Sequence, residues 1–464
     1  MSSAPWFPSS LAYRIAVLLR GESSVFRGLE LLRDLEFAPA AELVSRQDGK
    51  LAEILTYARR HSAFYRNRWP AGSKIDNLTA RSYLQSLPLV SKADLQDHAD
   101  EMLAIPRIRR VTRKTTGGST GQAVTIVKDR RALGLEMAAT WLGYGWFGVH
   151  IGDKQARFWG RPSSVRRRMR TFGARLATRR IDFSAFAFSD QDLERYWRRC
   201  LAERPDYFYG YVSMIEAFAS FVLRRGLDGG RIGLKVIVTT SEVLGEPQRR
   251  LIQRAFGAPV QNEYGCGEVG AIAYECERGA LHTMSENLIV EVLDEHGNRA
   301  APGQEGQVVL TDLNNRAMPL IRYRVGDLAV LGTRCACGRG FPTLEEVRGR
   351  EYDFIQDNEG RRYHGEYIMY LFEDLRERGV PVHQFQVIQL ESGALEVLVV
   401  SDVSSLDSVV ATVVDEMKRR LPNLLVTGRG VDAIERTKSG KMQLIRNNSA
   451  SGQPHTSREI GRYA

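Results

Sequence analysis

The stretch "LKVIVTTSEVLGEPQRRLIQRAFGAPVQNEYG", residues 234–265, decides the fold. It begins with a β-branched run typical of a buried strand. A helix follows, with Pro247 in its first turn and Gly257 at its end, and the chain then returns to a second strand. A strand, a helix and a strand in this order indicate an α/β domain with a parallel sheet.

The same alternation extends towards the N-terminus. The sequence predicts strands at 153–160 and 206–211, and helices at 190–205 and 212–226. Residues 40–105 favour helices, and Ser91 is the predicted N-cap of one of them. The fold class is therefore α/β with a largely parallel sheet.

The pattern changes after about residue 270. Residues 288–313 and 320–332 alternate strand-like runs with Gly, Asn and Pro turns, which predicts antiparallel strands in a smaller β subdomain, about 271–350. Residues 354–447 then predict a small α+β domain with two helices on one sheet. The polar segment 448–464 is predicted to be disordered.

Length and composition predict several domains and an ordinary globular protein. The chain has 464 residues, of which 43% are hydrophobic and 26% are charged. No apolar run approaches the roughly 20 residues of a membrane span. The first residues lack a basic leader before their apolar patch, so we expect no signal peptide and a cytoplasmic location.

The positive charge is concentrated in one segment. The net charge is +10, and residues 161–180 contain eight arginines and no acid, so the rest carries 10 − 8 = +2. One interpretation is a surface helix with a solvated arginine face. The other is peripheral contact with a membrane surface or a polyanion. Nucleic-acid binding is not expected, because no helix-turn-helix pattern and no interleaved aromatic platform accompany the arginines.

Two segments are typical of nucleotide binding. "TTGGSTG", residues 115–121, combines glycines that can turn backbone N–H groups towards an anion with hydroxyl donors. Taken alone, it is equally an ordinary turn. In "QNEYGCGEVG", residues 261–270, Tyr264 can stack on a base and Glu268 can hold Mg²⁺. The alternative there is a tight turn after a strand.

Two further segments follow downstream. Asp327 in "YRVGD" can accept hydrogen bonds from the two hydroxyls of a ribose, although Gly-Asp is also a common hairpin turn. Lys441 in "KSGK" stands on a glycine turn, from which its charge can reach a cleft. Its alternative is a solvated loop.

The order of these four segments, from about residue 50 to 447, resembles the adenylate-forming superfamily, which includes the acyl-CoA ligases. The chain is most similar to the branch of phenylacetate–CoA ligases and capsular-polysaccharide biosynthesis proteins, which also matches at "YARRHSAFYRNRW" and "CACGR". The resemblance implies an AMP-binding domain at 1–353 and a mobile C-terminal lid at 354–447. It also implies ATP, Mg²⁺ and CoA as cofactors.

The resemblance further implies a role for each matching residue. Glu268 would bind Mg²⁺, Lys441 would bridge the substrate carboxylate and the α-phosphate, and Asp353 would be the hinge. The remaining residues would bind ATP: Thr115, Thr116, Gly117, Gly118, Ser119, Thr120, Gly121, Glu242, Tyr264, Asp327 and Arg350.

Two positions depart from the family pattern. Gln122 and Ala123 follow the glycine loop where the family often has a lysine, and Gly267 precedes the glutamate where Thr or Ser is usual. Both changes remove groups near the phosphates. The backbone and hydroxyls of the loop are therefore expected to hold the phosphates largely alone.

The cysteines predict a structural zinc site. Cys276, His282, Cys335 and Cys337 form two pairs separated by β structure, which supplies four ligands of zinc type and leaves no open position. Similar members of the branch carry zinc at such positions. The alternative is two reduced surface pairs. Cys266, beside the nucleotide motif, is a competing candidate for the fourth ligand.

The sequence therefore predicts an ATP-dependent acid–thiol ligase that forms an acyl-AMP and transfers the acyl group to CoA or a carrier thiol. One alternative replaces the thiol with an amine or hydroxyl acceptor in polysaccharide or cofactor biosynthesis. Another is a nucleotide-binding relative without turnover. Six aromatic residues either line a pocket for an aryl acid or belong to the core: Trp141, Tyr144, Trp146, Phe147, Tyr209 and Tyr211.

Overall fold

The structure is a computed structural model. It describes residues 8–70, 75–76, 78–104, 111–116, 124–159, 179–185, 187–348, 354–359, 361–382, 384–391, 393–401, 405–434 and 445–447. Several predictions fall outside these residues: the glycines and hydroxyls at 117–121, Arg350, Asp353, Lys441, most of the arginine-rich segment and the C-terminal tail.

The described residues divide into two compact units: the first lies within 8–116, 124–185 and 190–348, and the second within 354–447 together with the short segment 187–189. Among the described residues, none of the helices has both the length and the hydropathy that crossing a bilayer requires.

The first unit begins with helices. Ser91 caps one of them as predicted, because its Oγ accepts a hydrogen bond from the Asp94 N–H at 3.1 Å while the Asp94 side chain accepts one from the Ser91 N–H at 2.8 Å. The helices are α1 (Pro8–Arg20), α2 (Ser24–Leu35), α3 (Ala40–His61), α4 (Ala63–Arg68), α5 (Ala80–Ser86), α6 (Lys92–Asp97) and α7 (Ala99–Met102).

A two-stranded antiparallel ribbon follows, formed by β1 (Val111–Thr116) and β2 (Val124–Asp129). Thr116 pairs with Val124, so the glycine-rich segment connects the paired ends of the two strands. The Asn315 amide donates to the carbonyl of Val127 at 3.0 Å, which fixes β2 to a buried loop of the same unit. Helix α8 (Arg130–Gly145) leads on from β2, with the Asp129 carboxylate accepting from the Ala132 N–H at 2.8 Å.

An eleven-stranded sheet forms the centre of the first unit, in the order β11-β12-β13-β14-β10-β9-β8-β7-β6-β3-β4. The predicted alternation is confirmed, because β4, β3, β6, β7 and β8 are all parallel. From β8 onwards the pairing is antiparallel, and the sheet continues without a break. The strands of this part of the chain are β3 (Gln155–Trp159), β4 (Ile181–Ser184), β5 (Ala187–Phe188), β6 (Tyr207–Tyr211), β7 (Val236–Thr240), β8 (Val260–Cys266), β9 (Gly270–Glu275), β10 (Leu281–Thr283), β11 (Leu288–Leu293), β12 (Glu305–Asp312), β13 (Tyr323–Leu331) and β14 (Thr343–Arg348).

Both faces of the parallel part are packed, as period-two alternation in buried strands requires. On one face, Phe158 and Phe208 contact each other with ring centroids 4.9 Å apart, and Phe218 lies against both. On the other face, Tyr144 of α8 packs against Tyr207 at 5.7 Å. The remaining helices of this unit are α9 (Asp190–Glu203), α10 (Val212–Arg224) and α11 (Glu246–Phe256), with a 3₁₀ turn at Gly229–Ile232.

The second unit contains two helices and a four-stranded sheet, which agrees with the α+β domain that the sequence predicts. Its main sheet runs β19-β18-β17-β20, and β16 pairs with both β15 and the short strand β5. Phe372 and Phe385 stack in its core, with ring centroids 3.4 Å apart. Its elements are β15 (Phe354–Gln356), β16 (Arg362–His364), α12 (Gly365–Glu377), β17 (Gln384–Glu391), β18 (Ala394–Val400), α13 (Leu406–Arg420), β19 (Leu425–Gly430) and β20 (Ile445–Asn447).

Candidate functional site

The carboxyl ends of β3, β6, β7 and β8 lie at one edge of the sheet, because these strands run parallel. Ligands of open α/β sheets bind at this edge. Glu242 follows β7, and Tyr264 and Glu268 lie at or just after the end of β8. The order of elements thus brings three predicted residues to the ligand-binding edge.

Two predicted nucleotide motifs meet through a direct hydrogen bond. The hydroxyl of Tyr264 donates to Oδ2 of Asp327 at 3.0 Å, although 63 residues separate them in the chain. Tyr264 lies on β8 and is only 8% exposed, whereas Asp327 lies on β13 and is partly exposed. An aromatic ring therefore lies beside a partly solvated carboxylate, an arrangement that suits a nucleoside.

Glu268 is held by a residue of β13, the strand that also carries Asp327. It lies in the turn between β8 and β9, is 8% exposed, and its Oε1 accepts a hydrogen bond from the hydroxyl of Tyr323 at 3.2 Å. Tyr323 and Asp327 are four residues apart on β13, so they point to the same side of the sheet. One strand therefore orients both Tyr264 and Glu268. A nearly buried carboxylate fixed in this way is a suitable Mg²⁺ ligand.

Glu242 has a different set of contacts. Its two carboxylate oxygens accept from the N–H of Ser213 at 2.7 Å and from the Ser213 hydroxyl at 2.8 Å. Ser213 lies in the first turn of α10, so the carboxylate neutralises the positive end of that helix. The contact of Glu242 with a nucleotide remains a prediction.

Thr115 is the member of the glycine motif whose side chain is described. Its hydroxyl lies 3.3 Å from the hydroxyl of Thr125 on the paired strand, and the residue is exposed. The roles of Thr116 to Gly121, Arg350, Asp353 and Lys441 remain predictions, since these groups lie outside the part of the chain that the structure describes.

Sequence reasoning missed a group of charges beneath the ribbon. The ammonium of Lys128 on β2 is ion-paired with Glu136 of α8, and the Lys128 side chain is 1% exposed. Burial alone would lower the pKa of Lys128, but the carboxylates of Glu136 and Asp312 raise it above its usual value. The one indication of this buried ion pair in the sequence was the lysine near the end of the β-branched run "VTIVKD".

A second buried carboxyl lies below Tyr264. Glu263 accepts hydrogen bonds from the hydroxyls of Tyr144 at 2.9 Å, Thr240 at 3.1 Å and Tyr209 at 3.2 Å. Burial raises the pKa of Glu263, against the lowering effect of these donors. This cluster joins α8 to the strands that carry the site.

The six predicted aromatic residues differ in burial. Trp141, Tyr144 and Tyr211 are buried in the core, whereas Trp146, Phe147 and Tyr209 are partly exposed and pack against it. Tyr209 and Tyr211 stack on Trp159 at the carboxyl edge, with ring centroids 5.6 and 4.3 Å from it. The guanidinium of Arg157 lies 4.8 Å from the Trp159 ring centroid and 5.2 Å from that of Tyr209. The edge thus carries an aromatic face with one arginine.

The four predicted zinc ligands come together. The ligand atoms of Cys276, His282, Cys335 and Cys337 all lie within 4.8 Å of one another. Sγ of Cys276 is 3.7 Å from Sγ of Cys335, and Sγ of Cys337 is 3.2 Å from Nε2 of His282. Cys266 does not belong to this cluster, and Cys200 is fully buried on α9.

The surroundings of the cluster fit a tetrahedral ion. The backbone N–H groups of Arg278 and Cys337 each point at a cysteine sulfur at 3.4 Å, and positive φ at Gly279 and Gly338 makes the two turns. Nδ1 of His282 lies 3.0 Å from the carbonyl oxygen of Phe341, so it carries the proton and leaves Nε2 for the metal. The donor set and its backbone support suit a closed four-ligand zinc site.

Comparison with known families identifies one matching model. Residues 355–448 match the CapK C-terminal domain. The chain is 22% identical over 322 residues to protein CapK of Staphylococcus aureus, covering 68% of this chain and 70% of that protein. It is 24% identical over 337 residues to the phenylacetate–coenzyme A ligase of Thermus thermophilus, covering 69% of this chain and 73% of that enzyme.

Solved structures give the fold. A 2-hydroxyisobutyryl-CoA ligase, in complex with 2-HIB-AMP and CoA in the thioesterification state, matches with a TM-score of 0.59 at 21% identity. The match covers 89% of this chain and 91% of that one. The same ligase in its postadenylation state with 2-HIB-AMP gives a TM-score of 0.58 at 19% identity, with the same coverage of both chains.

Proposed function

Because this chain has the fold of the adenylate-forming ligases and is homologous to CapK and to the phenylacetate–CoA ligases, we propose that it activates a carboxylic acid with ATP and transfers the acyl group to a thiol. The acid carboxylate attacks the α-phosphate, acyl-AMP forms and pyrophosphate leaves. The thiol of CoA or of a carrier then attacks the acyl carbon and releases AMP.

The observation that carries this proposal is the pair of hydrogen bonds that β13 makes to the β8 segment. Tyr264 is joined to Asp327, and Glu268 is joined to Tyr323. In the proposal the Tyr264 ring lies against adenine, Asp327 accepts from the ribose hydroxyls, and Glu268 holds Mg²⁺. When bound, Mg²⁺ supplies positive charge to the phosphates.

The acid is proposed to bind at the aromatic face of the same edge. Trp159 and Tyr209 supply partly exposed stacked rings next to Glu263, whose hydrogen bonds to Tyr209 and Thr240 are internal to the protein. Tyr211 is completely buried and packs against Trp159. Such a face suits an aryl or other apolar acid. Arg157 adds a positive charge that suits an acid with an additional acceptor group.

Residues 1–353 and 354–447 are proposed as the AMP-binding domain and the lid. Asp353 is the proposed hinge and Lys441 the proposed catalytic lysine, which neutralises charge between the carboxylate and the α-phosphate. The glycine loop and Arg350 are proposed to contact the nucleotide.

Zinc is proposed as a structural ion at Cys276, His282, Cys335 and Cys337. The observation that supports it is the convergence of four ligand atoms with backbone N–H groups aimed at the sulfurs. Native purification followed by elemental analysis tests it, and protein without bound zinc would reject it.

The activity is tested by ATP–pyrophosphate exchange across a panel of acids that includes phenylacetate and 2-hydroxyisobutyrate. We expect exchange with at least one acid, and CoA should then trap the acyl group as a thioester. Lys441→Ala should reduce exchange by about 100-fold or more, whereas Lys438→Ala, three residues away, should retain it. Full exchange by the Lys441 variant would reject the assignment of this lysine.

The resemblance to the capsular-polysaccharide biosynthesis branch offers a second candidate acceptor. The matched model, the CapK C-terminal domain, covers residues 355–448, most of the proposed lid. In this candidate an amine or hydroxyl of a sugar or cofactor replaces the thiol. Exchange with an acid but no CoA adduct would favour it. ATP binding without exchange on any acid would indicate a relative without turnover.

A further inference from the structure

The proposed function requires positive charge next to the triphosphate. The glycine loop has Gln122 where the family often has a lysine, so the loop itself supplies none there. A polyphosphate in a partly desolvated site is bound most strongly by charged donors. A cation that meets this requirement must lie near Glu268 and must not already be neutralised by an ion pair.

Two lysines face this region from the ribbon. Lys114 on β1 pairs with Ile126, and Thr112 pairs with Lys128 on β2. Cross-strand partners share a face, and so do residues two apart on one strand, so Lys114 and Lys128 lie diagonally on the same face of the ribbon. Arg113 lies between Thr112 and Lys114 on β1, so its side chain points to the opposite face of the ribbon.

The two lysines differ in their partners. Lys128 is buried and ion-paired with Glu136, so its charge is neutralised inside the protein. Lys114 forms no ion pair and no hydrogen bond with its ammonium in the described part of the chain. Lys114 is therefore the cation of this face that can serve a ligand.

The side chain of Lys114 is exposed. Desolvation by the surrounding protein lowers the pKa of its ammonium. The charge of Lys128 lowers this pKa further, whereas those of Glu136 and Glu268 raise it. Geometry places this face of the ribbon beside the turn that holds Glu268, because Lys128 is ion-paired with Glu136 and a Cβ added at Gly270 would lie 2.9 Å from Oε2 of Glu136.

The side chain of Lys114 is long enough to reach the end of β1. Lys114 is two residues before Thr116, the last residue of β1, and a strand advances about 3.3 Å per residue. Its Cα is therefore about 7 Å from the end of the strand, a distance comparable to the length of an extended lysine side chain.

We propose that Lys114 binds the β- or γ-phosphate of ATP and replaces the loop lysine that this chain lacks. This inference rests on the proposed function, because it assumes that the nucleoside lies at Tyr264 and Asp327 and the metal at Glu268. In this inference Lys114 contacts only the β- or γ-phosphate of ATP. AMP has neither phosphate and therefore does not contact Lys114.

Isothermal titration of the full-length protein with Mg²⁺ and either α,β-methylene-ATP or AMP tests this assignment without turnover. Lys114→Gln should weaken binding of the ATP analogue by about 10- to 100-fold and change AMP binding by less than about 3-fold. Lys114→Arg should keep most of the affinity. Arg113→Gln removes the same charge from the opposite face of the ribbon and should leave both ligands within about 3-fold of wild type.

Three outcomes would overturn the assignment. In the first, the Lys114→Gln protein binds the ATP analogue as tightly as wild type. In the second, it loses affinity for the ATP analogue and for AMP equally. In the third, Arg113→Gln weakens binding of the ATP analogue as much as Lys114→Gln does. If wild-type protein binds neither nucleotide, the proposed function itself fails and this inference fails with it. Failure confined to the Lys114 variants leaves the proposed function intact.

Discussion

Replacing Gly143 with alanine tests how tightly α8 is fitted to the sheet that carries the site. A Cβ added at Gly143 would lie 2.3 Å from Cγ of Tyr274 and 2.6 Å from its Cδ2, closer than real contacts allow. Tyr274 is completely buried and its hydroxyl donates to Thr140 at 3.1 Å, so the ring has no space into which to move.

The sign of the effect follows from two opposing contributions. Alanine in a helix is favoured over glycine by about 1 kcal/mol, whereas over-packing a core costs about 1–3 kcal/mol. The clash is with a ring rather than with the end of a flexible chain, so the cost lies at the upper end. We expect Gly143→Ala to lower the free energy of unfolding by about 2 kcal/mol.

Gly145→Ala is the matched control, because no atom lies within 4 Å of its added Cβ in the same helix. We expect it to leave stability unchanged or to raise it by up to about 1 kcal/mol. Urea unfolding followed by intrinsic fluorescence measures both, since Trp141 and Trp146 lie in or next to the last turn of α8. Equal stability of the two variants would show that the helix shifts freely, and would refute the close fit of α8 to Tyr274.

Four further changes test the charges and contacts of the site. Lys128→Met should cost about 3 kcal/mol in urea unfolding because it leaves the partly buried Glu136 carboxylate without its ion-pair partner, and adding Glu136→Leu should recover most of that loss; an unrecovered loss would contradict this. Cys337→Ser should lower the zinc retained on native purification, measured by atomic emission, and unchanged stoichiometry would reject this ligand. Tyr264→Phe should raise the KM for ATP by about 3- to 10-fold without changing that for the acid, and an equal rise in both would argue against a nucleoside contact. Glu268→Gln should reduce pyrophosphate exchange by about 100-fold with unchanged unfolding, and exchange at the wild-type rate would exclude it as the metal ligand.

Much of the fold follows from local pattern. The β-branched run at 236–240 and the capped helix after it specify a parallel unit, and Ser91 caps its helix as predicted. The C-terminal unit has the expected order of elements because each of its helices and strands has a clear period. In these cases, residues close together in the sequence determine the secondary structure.

The contacts that build the site are different, because they depend on pairings far apart in the chain. The Tyr264–Asp327 bond joins residues 63 positions apart, and the Lys128–Glu136 pair depends on how α8 packs beneath the ribbon. Neither has a signature in local spacing. The four zinc-type ligands were predictable as a set, since Cys and His in two close pairs have few other uses, but their distances were not.

The unbroken sheet of the first unit has a consequence for how such chains can vary. β8 and β13 are held in place by pairing with the strands between them, so the positions of the Tyr264 and Asp327 side chains do not depend on the lengths of the connecting turns. The exposed turn around Asp294 to Asn298, which links β11 towards β12, can therefore lengthen or shorten without moving either motif. Relatives with very different spacing between the two motifs can thus retain the same geometry, and a search that fixes the spacing would miss them.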